Sequence, residues 1–489
     1  MTRWQTGIIM LAATLAATAC GPDAPRRPNV LLISVDTLRL DRLTCYGGED
    51  GTSPNIDELA SQGVRFSSVQ APRGLTWPSL TTLLTGLQPR THQVRLNGAQ
   101  LDEQFSTLPE LLGDHGYATG GFLSNMCDAP NRGLDTFFCS WWEASGPPPT
   151  RQRQQWMSHD QPQWDAAITR EALEFMTASR DEPFFAWVHY IDPHKPFDVV
   201  EQFARPEVDG SFQVDDDSLA AMTLAGTPPT PEQIRQLMAI YDSQVTATDH
   251  HIGALLAGLE EAGLAEDTLV VFTADHGEEL GDHQTYFYHL SSIYQQVLAI
   301  PLILRWPGHL PAGSVIDAPI AGADIAPTVL DTLGLPGGTE MEGLSRAGLA
   351  RGEAGATGAT HTFSEWSDQM LIVGEGDWRY VWNPNNVITF GAPFKRETGR
   401  GFTIAGEELY DLAGDPLQQD NIVAQHPGRA AALRDRACEF LRERDFHRQA
   451  PRPISPEART RLESLGYLQG EDETREGQPR LTDHCPEDP

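Results

Sequence analysis

Basic side chains are scarce in this chain of 489 residues. There are 35 lysines and arginines against 68 aspartates and glutamates, which gives a formal net charge of −33. This balance excludes nucleic acid as an expected partner, because such a partner requires a basic surface that releases counterions. The six cysteines include no Cys-x-x-Cys pair, so no thiolate zinc site is expected. Apolar residues make up 40 % of the chain, which excludes disorder and allows two to three domains.

Long apolar runs are also missing. The run from Gly7 to Ala19 is too short for a membrane-spanning helix, which needs about 20 residues. It follows one positive charge and ends in small residues before Cys20, a pattern typical of a secretory signal. We expect residues 1–19 to be a signal peptide and residues 20–27 a tether. The small residues that end at Cys20 resemble a bacterial lipoprotein cleavage site. The alternative is ordinary cleavage after Ala19, beside a cysteine that has no special role.

Either form of cleavage places the mature chain outside the cytoplasm, in the bacterial cell envelope. A lipid on Cys20 would then be the chain's contact with the membrane.

Short apolar runs alternate with helical patterns from residue 28 onward. This alternation predicts an α/β fold, with a mostly parallel central sheet and helices on both faces, over residues 28–345. Residues 346–489 change in character and predict a small α+β C-terminal domain and tail, after a Gly/Ala-rich linker at 347–360. Two Pro-rich or acidic segments, 145–163 and 199–229, predict long surface loops. The predicted strands are Asn29–Val35, Thr119–Ser124, Phe184–Tyr190, Thr268–Ala274 and Ile300–Trp306, and the predicted helices include Pro78–Leu84, Leu108–His115, Trp164–Ser179 and Pro231–Ala262.

Polar side chains stand where three of these strands end. Asp36 follows the first strand, Asp275 and His276 follow the strand that ends at residue 274, and His194 lies just beyond residue 190. In a doubly wound sheet, ligands gather at the carboxyl ends of the strands. Each residue alone has an ordinary explanation as a turn, a cap or part of a loop. Together they predict a site.

A threonine stands next to a predicted helix start in the same region. Pro78 opens that helix, so Thr76 lies just before its N-terminus, where backbone N–H groups and the helix dipole stabilise an anion. Two carboxylates, one imidazole and one hydroxyl suit a single divalent ion such as Ca²⁺, Mg²⁺, Mn²⁺ or Zn²⁺.

The motifs and their order resemble the sulfatase family of the alkaline phosphatase superfamily, over residues 28–467. The resemblance rests on these blocks: RPNVLLISVDTLRLDRLTCYG from Arg27, SPNIDELASQGVRF from Ser53, TWPSLTTLLTGLQPRTH from Thr76, HYIDPHKPF from His189, TADHGEELGDH from Thr273, IPLILRWPG from Ile300, ELYDLAGDPLQQDNI from Glu408 and LESLGYL from Leu462.

This resemblance implies a metal ion held by Asp36, Thr76, Asp275 and His276, with Ca²⁺ the ion expected from the family. It also implies basic side chains over the leaving group, at positions that match His194 and His289.

The departures from the family pattern restrict the chemistry. The family signature is C-x-P-S-R or S-x-P-S-R, whose first residue becomes formylglycine, whereas this chain has Thr76 and Leu80 at the two ends of T-W-P-S-L. Formylglycine cannot form on a threonine. The Gly-Lys pair of the second signature is absent from residues 115–121, and Thr37 replaces a second acid found in many members. Two cationic contacts with sulfate are therefore missing.

These residues predict a metal-dependent hydrolase of sulfuric or phosphoric esters, acting on a small-molecule or glycan substrate. Thr76 would be the nucleophile, and His194 or His289 would protonate the leaving group. Two alternatives stay open: a phosphoryl-group transferase that modifies envelope glycans or lipids, and a catalytically silent sulfatase-like binding protein. The sequence does not indicate an oligomeric state.

The remaining cysteines suggest two disulfides. Cys127 and Cys139 could close a short loop, and Cys438 could tie down the polar tail through Cys485. Cys45 is expected to be a small buried residue.

Overall fold

A computed structural model describes most of the chain between residues 27 and 486. The described residues are 27–49, 51–124, 132–140, 161–195, 197, 199–208, 229–283, 289, 292–366, 368–386, 404–444 and 479–486. The predicted signal peptide and Cys20 lie outside them, as do Cys127, most of the predicted loops at 145–163 and 199–229, and the LESLGYL block.

Nine of the described strands form a mixed, mostly parallel sheet in the order β4-β3-β5-β1-β6-β7-β2-β8, with β9 paired to β2. The first five strands of that order run parallel, and β7 is antiparallel to both of its neighbours. The central strands are fully buried, as their continuous apolar sequences predict. These strands are β1 Asn29–Val35, β2 Val64–Gln70, β3 Ala118–Leu123, β4 Thr136–Cys139, β5 Phe184–Tyr190, β6 Thr268–Ala274, β7 Ala299–Arg305, β8 Ser314–Ile316 and β9 Ile320–Ala321.

Helices connect these strands and cover the sheet. The longest described helix, α6, is capped by Thr230, whose hydroxyl accepts a hydrogen bond from the Gln233 amide, and it is followed by Gly263 with a positive φ of 71°. The helices of this region are α1 Pro54–Gln62, α2 Thr76–Thr85, α3 Pro89–His92, α4 Leu108–Asp114, α5 Gln161–Ala178, α6 Pro231–Glu261, α7 Gln295–Leu298, α8 Ile325–Thr332 and α9 Ala347–Ala350.

Helix α6 also settles the role of Asp249, a side chain in its middle. The Asp249 carboxylate accepts hydrogen bonds from the Asn55 and Ile56 amides at 3.1 and 2.8 Å. It therefore caps the N-terminus of α1 and serves the packing of two helices.

A second, antiparallel sheet follows in the order β10-β11-β12-β13. One face packs against helix α10, and a Cys438–Cys485 disulfide joins that helix to the 3₁₀ turn Leu481–His484, with 5.6 Å between the Cα atoms. The other face packs against residues 293–298 of the first region. The elements are β10 Thr362–Trp366, β11 Met370–Glu375, β12 Trp378–Trp382, β13 Glu407–Asp411 and α10 Pro427–Glu443.

The structure corrects two expectations and leaves a third untested. The predicted linker contains helix α9, whose Ala350 belongs to the main hydrophobic core, because small side chains fit closely against α8. Cys45 is half-buried, not buried, because it lies in the short 3₁₀ turn 44–46, none of whose residues is buried. Cys139 is disulfide-bonded, but its partner lies outside the described residues, so its pairing with Cys127 stays a prediction. Among the described helices, none is both long and apolar enough to cross a membrane.

Candidate active site

The carboxyl edge of the central sheet brings Asp36, Asp275 and His276 together. Strands β1 and β6 are parallel and in register, with Val35 opposite Ala274, so the residues that follow them leave the sheet side by side. Backbone bonds continue past the strand ends, from the Asp36 amide to the Tyr190 carbonyl at 2.9 Å. One ligand atom from each of the three side chains lies within 4.8 Å of the others, and all three are buried.

The arrangement of His276 fits a bound cation. Its Nδ1 lies 2.9 Å from the Gly277 carbonyl, which can only accept, so Nδ1 carries the proton and Nε2 presents a lone pair. That lone pair lies 3.4 Å from Asp275 Oδ2 and 3.9 Å from Asp36 Oδ1. Asp275 Oδ2 accepts no hydrogen bond within the described structure. Three electron-rich atoms buried close together need a positive charge between them.

A glycine after His276 is a steric requirement. A Cβ on Gly277 would lie 2.1 Å from the Gln296 carbonyl oxygen, which is backbone and cannot move aside. The close approach holds the loop after β6 against α7.

Thr76 is the first residue of α2, two positions earlier than the Pro78 start that the sequence suggested. Its Oγ1 is fully buried and lies 3.4 Å from His276 Nε2. The next amide, of Trp77, donates to Asn97 Oδ1 at 2.9 Å, which replaces the missing intrahelical partner. Leu80 is fully buried in the main core, so the position of the family's arginine offers no charge.

His194 and His289 lie next to this cluster. The ring of His289 is centred 4.5 Å from that of His276 and 5.5 Å from that of His194. His194 Nδ1 donates to the Lys195 carbonyl at 2.7 Å, and His289 Nδ1 shares a proton with Glu278 Oε2 at 3.0 Å. All of the predicted site residues are therefore at one location; their chemical roles stay predictions.

Burial dominates the electrostatics of these side groups. It lowers the pKa of His194 and His289 well below the usual range, and neighbouring imidazoles and the Lys195 charge lower both further. Burial raises the pKa of Glu278 to about 8. The Glu278–His289 pair is thus held in its neutral form, with one proton between two atoms that both resist charge.

Sequence reasoning missed three neighbours of the site. Glu278 could have been found from its place in the quoted TADHGEELGDH block, whereas Asn97 carries no local signal. Thr37 was noted only for the acid it lacks. It adopts a positive φ of 53°, a strained conformation for a β-branched residue, and its amide donates to Asp275 Oδ1 at 3.2 Å.

Comparisons with known proteins identify the family of this chain. The sequence profile of the sulfatase family matches residues 28–335. Two relatives from Bacteroides thetaiotaomicron are a Delta 4,5-hexuronate-2-O-sulfatase, 24 % identical over 93 % of this chain and 96 % of the relative, and an N-acetylglucosamine-6-O-sulfatase, 25 % identical over 86 % and 87 %. The phosphonate monoester hydrolase of Agrobacterium radiobacter superimposes with a TM-score of 0.68 and 23 % identity, covering 86 % of this chain and 96 % of that one.

The profile match covers more than half of the chain, and the mixed sheet with its smaller antiparallel companion is the architecture of the solved sulfatases. The chain therefore belongs to the sulfatase family of the alkaline phosphatase superfamily, and it is an ester hydrolase.

Proposed function

We propose that this enzyme hydrolyses sulfate or phosphate esters with Thr76 as its nucleophile and one divalent cation bound by Asp36, Asp275 and His276. The family membership supports ester hydrolysis. The observation that carries the finer proposal is the 3.4 Å distance from Thr76 Oγ1 to His276 Nε2, because it places a hydroxyl beside the three-residue cation site.

A cation at this site would stabilise the Thr76 oxyanion and the negative oxygens of the ester. The N-terminus of α2 stabilises the same charge, since Thr76 is its first residue. Thr76 loses its hydroxyl proton to water, and the resulting oxyanion attacks sulfur or phosphorus. The bond from that atom to the alcohol oxygen breaks, and the leaving alcohol takes a proton from the His289 ring. Water then releases the group from Thr76.

His289 supports the proton transfer to the leaving oxygen. It is hydrogen-bonded to Glu278, so a proton lost from the ring's far side can be replaced through Nδ1. His194 faces the same space, with its Nδ1 fixed on the Lys195 carbonyl. This orientation leaves His194 Nε2 able to accept a proton from the attacking water.

Substitution of Thr76 tests the nucleophile. Thr76→Ala should lose turnover, while Thr76→Ser should keep a measurable fraction and should trap one phosphoryl or sulfuryl group in an intact-mass measurement after rapid quenching. Thr85→Ala is a matched control, since Thr85 is a buried threonine at the other end of the same helix. Turnover by Thr76→Ala at the wild-type rate would refute the nucleophile.

Metal dependence has a separate test. The carboxylates suit Ca²⁺, Mg²⁺, Mn²⁺ and Zn²⁺, and the imidazole nitrogen favours Zn²⁺ over the three harder ions. Enzyme stripped with a chelator should regain both thermal stability and activity with one of these four ions. Unchanged melting temperature and activity after stripping would refute the cation site.

The substrate class can be narrowed by a panel. Because two relatives are named for sulfated sugars, we propose a glycan or small-molecule ester as substrate. Aryl sulfate, aryl phosphate and aryl phosphodiester substrates separate the three ester classes, and sulfated monosaccharides test the sugar.

The location of the enzyme in the cell envelope is a further part of the proposal. We infer that Cys20 carries a lipid because it follows a secretory-type segment. Metabolic labelling with a fatty acid should mark the wild-type chain and not Cys20→Ala.

A further inference from the structure

The site lacks the two cations with which the sulfatase family is expected to hold its anionic substrate. Leu80 stands at one of these positions and is fully buried among apolar side chains. Arg39 is close, but its guanidinium is committed to Asp41 at 2.6 Å and Asp282 at 2.5 Å. The ester's sulfuryl or phosphoryl group therefore needs another source of positive charge.

Lys195 lies at the right place to supply it. Its backbone carbonyl accepts the 2.7 Å hydrogen bond from His194, so the residue is fixed next to the imidazole cluster. Its side chain is half-buried, so part of it remains accessible to solvent. Among the described residues, Lys195 has no salt-bridge partner, so its charge is not already neutralised.

The charge of Lys195 also reaches the site groups. It lowers the pKa of His194, of His289 and of Glu278, three groups that line one side of the cation site. The Lys195 charge therefore acts on the two imidazoles and the carboxyl group that lie beside the cation site.

Lysine is rare in this chain. Lys195 and Lys395 are the two lysines among 35 basic residues, and all the others are arginines. A lysine ammonium is a compact charge on a flexible stem, whereas an arginine presents a rigid planar fork. Because there are only two lysines, an amine-reactive reagent can report on the Lys195 side chain with little background.

We propose that Lys195 binds the anionic sulfuryl or phosphoryl oxygens of the substrate and takes over the task of the missing cations. This inference rests on the proposed ester hydrolysis, and the experiments below separate the two.

Kinetics of Lys195→Gln give the first test. We expect kcat/KM to fall by about 10- to 100-fold, as for the loss of one charged hydrogen bond. The loss should be larger for an aryl phosphate dianion than for an aryl sulfate monoanion, because attraction scales with charge. Lys195→Arg should recover part of it. Arg436→Gln, which removes one exposed charge from α10, is the control. Equal losses on both substrates would indicate a structural role and overturn the inference.

Amine modification gives the second test, without turnover. Metal-loaded wild type and Thr76→Ala are treated with an amine-reactive reagent, with and without inorganic phosphate or sulfate, and the Lys195 and Lys395 peptides are quantified. We expect either anion to slow Lys195 labelling several-fold in both proteins, relative to Lys395.

The outcomes are distinguishable. Unchanged Lys195 labelling in a wild type that hydrolyses the esters would overturn the role of Lys195 and leave the proposed function standing. Protected Lys195 in a wild type without any ester turnover would support the anion site and refute the proposed function.

Discussion

The two sheets treat their polar groups in opposite ways. At the edge of the large sheet, Asp36, Asp275 and His276 crowd their electron-rich atoms within 4.8 Å. In the small sheet, the Glu408 carboxylate is saturated by Tyr294 and Tyr410 hydroxyls at 3.1 and 2.8 Å and by the Ala405 amide at 2.8 Å. The first arrangement costs stability without a bound cation, and the second adds to it. The reactive groups therefore lie at the edge of the large sheet, whereas the polar groups of the small sheet stabilise the fold.

The small sheet nevertheless holds the loop that follows the site. Tyr294 stacks on His283 with 3.7 Å between ring centres, and the Gln295 amide donates to Gln418 at 2.7 Å. The segment 293–298 packs on the face of the small sheet opposite α10, and α7 in that segment lies against Gly277. The small sheet thus holds in place the loop that carries Asp275 and His276.

The largest effect is expected at the edge of the large sheet, where Asp275 contributes to the cation site. Asp275→Asn should lower kcat/KM by roughly 10³-fold or more, because a neutral amide holds a divalent cation far less tightly than a carboxylate does. The variant should also lose the rise in melting temperature that the cation gives the wild type. Asp435→Asn, on the exposed side of α10, should change neither quantity. A full metal-induced rise in the Asp275→Asn variant would contradict the assignment.

The next largest effect is expected when the disulfide of the small region is removed. The double substitution Cys438→Ser/Cys485→Ser opens a bridge with a sequence separation of 47 and should lower the free energy of unfolding by about 4 kcal/mol in the chain-entropy account. The turnover of folded molecules should stay within about twofold of wild type, since the bridge lies behind α10, away from the site. Cys45→Ser is the control, because Cys45 is a free thiol. A parallel loss of kcat would show that the two regions are not separable.

A third change tests the boundary between the regions. Glu365, on β10, pairs with Arg90 at 3.5 Å and Arg95 at 3.7 Å, and it is buried. Glu365→Gln removes one of the negative charges from this buried network, in which Arg90 keeps Asp368 at 3.0 Å, and should cost about 3 kcal/mol of unfolding free energy in denaturant titration. Glu353→Gln breaks an exposed pair with Arg351 and should cost under about 1 kcal/mol. Equal losses of unfolding free energy in the two variants would show that the buried ion pairs do not stabilise the boundary between the regions.

The large sheet was predictable because its strands are buried on both faces. Continuous apolar runs located β1, β5 and β6 to the residue, and the polar residues that follow them gave the site. Motif order gave His289, which no strand-end argument could supply. The mixed strand β2, Val64–Gln70, was missed because three of its residues are only partly buried and its sequence shows no clear period.

Other features depend on contacts between distant residues. The Thr76 start of α2 needs the Asn97 cap, twenty-one positions later, which no local pattern announces. The role we propose for Lys195 depends on its closeness to His194, His289 and Glu278, which come together only in the fold. The predicted linker failed as a linker because composition does not show that Ala350 finds a place in the core.

The smallest expected effect is a loss of unfolding free energy in acid. It comes from His92, which packs against α2, the helix that begins at Thr76. His92 is fully buried, its Nδ1 accepts from the Val94 amide at 3.0 Å, and its Nε2–H therefore donates to Thr82 of α2 at 3.0 Å. Burial, with the nearby Arg95 charge, lowers the pKa of His92 to about 3. The unfolded chain binds a proton near pH 6.5 and the folded chain does not, so stability should be complete above that pH and fall as the pH drops toward 3.

Between about pH 6.5 and pH 5, His92 should account for ~2 kcal/mol of lost unfolding free energy. His189 and His251, whose pKa values burial lowers to about 4, add to the same slope. His92→Gln should therefore flatten the dependence of unfolding free energy on pH without abolishing it, while His309→Gln, at an exposed position, should keep the wild-type slope. All three of these histidines lie in the large region, so acid should loosen the sheet that carries the site before the disulfide-bonded one. An unchanged slope in His92→Gln would mean that His92 becomes solvated before it charges, and that the support under α2 is weaker than its hydrogen bonds suggest.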